Sequence, residues 1–123
     1  MIRTLNFTAP RAGKTLISVN GTGYCENPDT SGVLVAEFDT QIVNNPSTIP
    51  SFKGPGGNKF KFTLPAEVAG ITGNGVFNLS SQRLFSINAA GVQHYAFNLV
   101  GDRLDGGVIC AIASAALTVL FLP

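Results

Sequence analysis

Lys59-Phe60-Lys61-Phe62-Thr63-Leu64 alternates without a break, and its reading decides the fold. Phe60, Phe62 and Leu64 fall on one side of an extended chain, and Lys59, Lys61 and Thr63 on the other. A period of two with one apolar side marks a strand with one buried and one wet face. Just upstream, Gly54-Pro55-Gly56-Gly57 suits little except a turn. Just downstream, Pro65-Ala66-Glu67-Val68-Ala69 predicts a single helical turn with proline at its start.

Working outward, Val33-Leu34-Val35-Ala36-Glu37-Phe38 is the clearest further strand, and Gln41-Ile42-Val43 extends it. Asn27-Pro28-Asp29-Thr30-Ser31-Gly32 before it is a loop on every criterion. Toward the N-terminus, Ile2 to Thr8 alternates and Ala9-Pro10-Arg11-Ala12-Gly13 turns the chain into a run from Lys14 to Val19. Asn20-Gly21 then predicts a hairpin turn before a short strand at Tyr24-Cys25-Glu26. Further strands are predicted at 75–79, 83–87 and 92–99, each separated by Gly, Asn or Ser.

Residues 107–123 are apolar and open at Gly106-Gly107. Two strands joined at Ser114-Ala115 are preferred over a buried helix, because the flanks are β-branched. A membrane anchor ranks last: about 20 apolar residues are needed to span, and Asp102 and Asp105 precede the run. The whole pattern predicts an all-β chain, an antiparallel β-sandwich or jelly roll forming one domain over residues 1–123. Its predicted core is Val33, Val35, Phe60, Phe62, Leu64, Phe77, Phe85, Tyr95, Phe97 and Val119. On this reading Phe62→Ala costs about 3–5 kcal/mol.

Composition narrows the role. The 123 residues are 45% hydrophobic and only 12% charged, with a formal net charge of +1. Disorder does not fit so much apolar surface, and no polyanion-binding field arises from so balanced a charge. A surface poor in charge and rich in Asn, Ser, Thr and Gly suits burial against neighbours. Cys25 and Cys110 have no metal-like or redox-like spacing. Two buried free thiols are preferred over a long-range disulfide. The first residues alternate instead of forming a secretory signal, so the Asn-x-Ser/Thr triplets at Asn6, Asn20 and Asn78 carry no weight.

Catalytic constellations are thin. The one histidine, His94, falls on the outer face of its strand, and no zinc-like ligand spacing surrounds it. Gly13-Lys14-Thr15 ends like a phosphate-binding loop, but the upstream glycine is replaced by Thr8 and a strand follows. Lys14 reads instead as a solvated edge residue that discourages strand addition. Glu37 and Asp39 share a strand face, and Asp102-Arg103-Leu104-Asp105 reads as a solvent loop or, failing that, an inter-subunit ion-pair site. A chain with no Trp and only Tyr24 and Tyr95 as tyrosines offers a poor sugar platform for glycosidase chemistry. Lys53, Lys59 and Lys61 interleave with Phe52, Phe60 and Phe62, yet alternation puts the rings opposite the cations. No catalytic, metal or cofactor residue is predicted, and the chain is read as a non-enzyme.

The chain as a whole resembles the small all-β virion proteins of icosahedral phages: penton-type jelly rolls, decoration or cement proteins, and minor capsid proteins. The resemblance rests on the N-terminal strand Arg3-Thr4-Leu5-Asn6-Phe7-Thr8, on the loop and strand 27–39, and on the closing Ala116-Leu117-Thr118-Val119-Leu120-Phe121-Leu122. RNA-phage coat proteins have a similar length, but they pair a basic sheet with C-terminal helices. The resemblance implies a structural protein located in the virion, contacting copies of itself or a major capsid protein. No small-molecule substrate, nucleic acid or membrane partner is expected. Asp29, Lys53, Leu120, Phe121 and Leu122 are the expected subunit contacts. The alternative is a β-sandwich that binds a ligand or carbohydrate, and a compact enzyme built near His94 is the third class.

Overall fold

Alternation is obeyed almost everywhere, and it builds two sheets. The computed structural model describes residues 3–29, 31–45, 59–70 and 73–123. Its strands are β1 (Arg3–Ala9), β2 (Gly13–Asn27), β3 (Leu34–Val43), β4 (Lys59–Leu64), β5 (Gly73–Ile87), β6 (Gly91–Leu104) and β7 (Ile109–Leu122). Sheet A has the order β1-β6-β3-β4 and sheet B the order β5-β2-β7, with every paired neighbour antiparallel. The two pack face to face as a β-sandwich, as the alternating runs predict.

The core between them holds Ile17, Val19, Cys25, Ala36, Phe38, Ile42, Leu64, Phe77, Leu79, Phe85, Tyr95 and Phe97. Phe60 and Phe62 point inward from β4, with ring centroids 5.3 and 6.1 Å from that of Phe38. Val119 packs against the same core, half-buried. Two predicted core residues are misplaced: Val33 is 59% exposed and precedes β3, and Val35 shares the outward face with Glu37. A one-residue slip in register inverts a strand's faces, and here Ala36 and Phe38 are the inward residues.

Tyr95 on β6 crosses the sandwich to bond the hydroxyl of Thr15 on β2, and both side chains are buried. Tyr95→Phe leaves the Thr15 hydroxyl orphaned in the core. Chemical denaturation should show a loss of about 1–3 kcal/mol, with the sandwich retained.

Four expectations about local structure are corrected. Asn20-Gly21 is no hairpin turn; it lies inside β2, a strand of 15 residues. Gly21 is there for close approach, since a Cβ on it would sit 2.1 Å from the carbonyl oxygen of Ser114. The C-terminal run is neither a helix nor two strands but the single 14-residue strand β7. Pro65 to Ala69 forms no helical turn: Ala69 and Gly70 both have positive φ, at 53° and 79°, which ends any right-handed helix. The predicted strands at 75–79 and 83–87 likewise merge into β5.

The expectation of two free thiols is also corrected, because Cys25 and Cys110 form a disulfide. They face each other across β2 and β7 in the register Cys25↔Cys110. That register exists only because it shifts between Thr22 and Gly23, so that Thr22 pairs with Ser114 but Gly23 with Ile112. Ala113 is the extra residue of a β-bulge. Without it, Cys110 would point to the opposite face from Cys25.

Candidate functional site

The two outward faces of the sandwich differ sharply. On sheet A the outward positions Asp39, Gln41, Val43, Ala96 and Asn98 are buried, so both faces of the β3–β6 pair are covered along 39–43 and 96–98. Lys59, Lys61 and Thr63 of β4 are exposed on that side, and Lys59 pairs with Glu37 at 3.0 Å. The lysines and the rings of Phe60 and Phe62 therefore lie on opposite faces. His94 is exposed and bonds the Asn6 side chain at 2.8 Å, as its outer-face position predicts.

Sheet B is bare on its outward side. Its register arranges that face in rows of three side chains, one each from β5, β2 and β7. Leu84, Leu16 and Leu120 form an apolar row toward one end; Val76, Tyr24 and Ala111 form another toward the other end. Between them lie Gln82-Ser18-Thr118, Ser80-Asn20-Ala116 and Asn78-Thr22-Ser114, small and mostly polar. Val76 is 74% exposed, Leu120 56% and Leu84 50%, values too high for core side chains. Among the described residues, only Lys14 and Glu26, at opposite ends of β2, bring charge to this face. Around Tyr24 it sinks into a depression of about 280 Å³, lined by Thr22, Gly23, Tyr24, Glu26, Asn74, Val76 and Ala113.

The expected contact residues are distributed over this architecture unevenly. Leu120 and Leu122 lie on the bare face of sheet B, 56% and 39% exposed. Phe121 turns the other way and meets the Phe7 ring at 5.8 Å, which makes it a packing residue between β7 and β1. Asp29 is elsewhere, in the loop after β2. Its carboxylate accepts from the Ser31 backbone N–H at 2.8 Å and the Ser31 hydroxyl at 2.7 Å, while its own N–H donates to Asn27 Oδ1. Buried Asn27 anchors that loop by donating to the carbonyls of Gly32, Leu64 and Pro65. Lys53, Phe52 and the Gly54-Pro55-Gly56-Gly57 turn lie outside the described residues. Lys14 is on the central strand of sheet B, not at an edge as the sequence suggested.

The stretch read as a solvent loop at 102–105 is mostly strand. Gly101 to Leu104 end β6, and Asp105 Oδ2 accepts the Val35 backbone N–H at 2.8 Å. Arg103 pairs with Asp105 of the same chain at 2.9 Å. Among the described residues, no three His, Cys, Asp or Glu side chains gather closely enough to hold a metal ion.

Three carboxyls are held below their ordinary values. Hydrogen bonds from Ser31 lower Asp29 and the Lys59 ammonium lowers Glu37; Arg103, with the Val35 N–H, lowers Asp105. Each therefore stabilises the fold fully above its ordinary value, 3.8 for the aspartates and 4.5 for Glu37. That contribution is lost as pH falls through the folded-state value. A melting-temperature series from neutral pH downward should stay level and then fall below about pH 4.5. Asp105→Asn should make that fall shallower.

No family model matches the chain, and no curated protein resembles it at a significant level.

Proposed function

We propose that this chain is a non-catalytic structural subunit of an icosahedral virion, working through repeated contacts with copies of itself or with a major capsid protein. The observation that carries the reading is the outward side of sheet B, a long face with apolar rows and almost no charge. Covering such a face removes apolar surface from water and strips few ions of their hydration. Repetition then turns individually weak contacts into a stable shell. The Cys25–Cys110 disulfide supports the same reading, since virion surfaces are among the oxidising settings where such bonds persist.

The test is incorporation. Val76→Ser with Leu120→Ser should leave the circular dichroism spectrum and the thermal melt of the isolated protein intact, because both side chains point to solvent. The same pair should sharply reduce the amount of chain recovered in purified particles. Undiminished recovery would remove sheet B from the account.

The depression around Tyr24 favours one second reading, a carbohydrate-binding module. Tyr24 supplies a ring for a sugar face, and Glu26 and Asn74 supply hydrogen-bonding groups beside it. A glycan array separates the two: selective binding that Tyr24→Ala abolishes would favour the module.

A further inference from the structure

We infer that the outward face of sheet B is a self-complementary surface on which a second copy of this chain packs, with the central strands antiparallel and a two-fold axis at Asn20. The inference rests on the structural reading above and adds its first contact.

Asn20 lies midway between Lys14 and Glu26, and midway between Leu16 and Tyr24. A two-fold axis in the plane of the face, perpendicular to β2 and passing through Asn20, exchanges these positions between copies. The row Leu84-Leu16-Leu120 of one copy then meets the row Val76-Tyr24-Ala111 of the other. Leu122 meets Ile109, and these two are 39% and 53% exposed. The leucine row thus faces the depression that Tyr24 and Val76 line. Apolar row meets apolar row in both halves at once, as an isologous contact requires.

Charge selects this orientation over its rival. Stacking the strands parallel would set Lys14 near Lys14 and Glu26 near Glu26. The antiparallel arrangement brings the Lys14 end of each copy toward the Glu26 end of the other. Sheet twist rotates packed faces by about 30°. The charges therefore act as opposed poles of the face and not as a fixed ion pair. Three strands about 4.8 Å apart and twelve steps of about 3.3 Å give a footprint of roughly 14 by 40 Å. That is below the roughly 800 Å² per partner of a standard interface, so the dimer should dissociate on dilution.

Sedimentation equilibrium of the isolated, disulfide-intact chain at low salt tests the inference. The wild type should show a monomer–dimer equilibrium that weakens as salt screens the poles. Lys14→Glu should raise the dissociation constant about tenfold, because both ends of the two-fold contact then repel. Combining Lys14→Glu with Glu26→Lys should restore it. Leu84→Gln should weaken dimers without changing the thermal melt. A monomer at every concentration would overturn the inference, as would a dimer indifferent to both charge changes. The two failures are separable: a monomer still recovered in particles refutes the two-fold contact alone. A charge-dependent dimer never found in particles refutes the virion role alone.

Discussion

Phe38→Ala is expected to cost about 3–5 kcal/mol of folding free energy, among the largest losses for a single side-chain truncation in the sandwich. Phe38 is 1% exposed, and its ring lies 5.3 Å from Phe60, 6.1 Å from Phe62 and 4.9 Å from Phe77. It touches rings from both sheets, so its removal leaves a cavity that no single neighbour can fill. Total stability of a domain this size is about 5–15 kcal/mol, so the variant would lose a large share of it. Phe62, which the alternating stretch put forward, packs on the same cluster but is only half-buried. Phe62→Ala should therefore fall at or below the low end of that range. Urea denaturation of both variants checks the order, and a larger loss for Phe62→Ala would mean the ring cluster is centred on β4.

Breaking the disulfide is the second large effect. The bond closes a loop of 85 residues, for which the chain-entropy relation gives about 4.5 kcal/mol of denatured-state restriction. Replacing both cysteines by alanine should lower stability by about 2–5 kcal/mol in the same assay. Thiol titration of the unreduced, denatured protein should find no free cysteine. Two titratable thiols would show instead that Cys25 and Cys110 are only neighbours.

The strand at 59–64 was legible with its faces because Phe60, Phe62 and Leu64 all turn to the core. That at 34–43 was legible as a strand but not in its faces, since small Ala36 is inward and residues 38–43 are buried on both sides. The long strands of sheet B were not legible. Asn20-Gly21, Ser80-Ser81 and Ser114-Ala115 all look like breaks in the sequence. In the structure they lie in or beside one band across the middle of sheet B, with Asn20 opposite both Ser80 and Ala116. Small polar residues there are strand interior on a wet face, and local propensity cannot separate that from a turn. The disulfide was hidden for a related reason. The pairing of Cys25 with Cys110 depends on the bulge at Ala113, a one-residue event that no spacing rule exposes. Leu120 and Leu122 could be proposed as contacts from the terminal run alone. Their companions Leu16, Tyr24, Val76 and Leu84 could not, since only the register of β5, β2 and β7 puts them on one surface.

Counting this chain in purified particles is the most direct measurement of the proposed structural role. Quantitative mass spectrometry of particles purified from the culture that produces the chain should find it in a fixed ratio to the major capsid protein. That ratio should persist through salt washing and gradient sedimentation, as icosahedral symmetry demands of a built-in subunit. A chain that is expressed but missing from the particles, or present in trace amounts that washing removes, would rule out the proposed role.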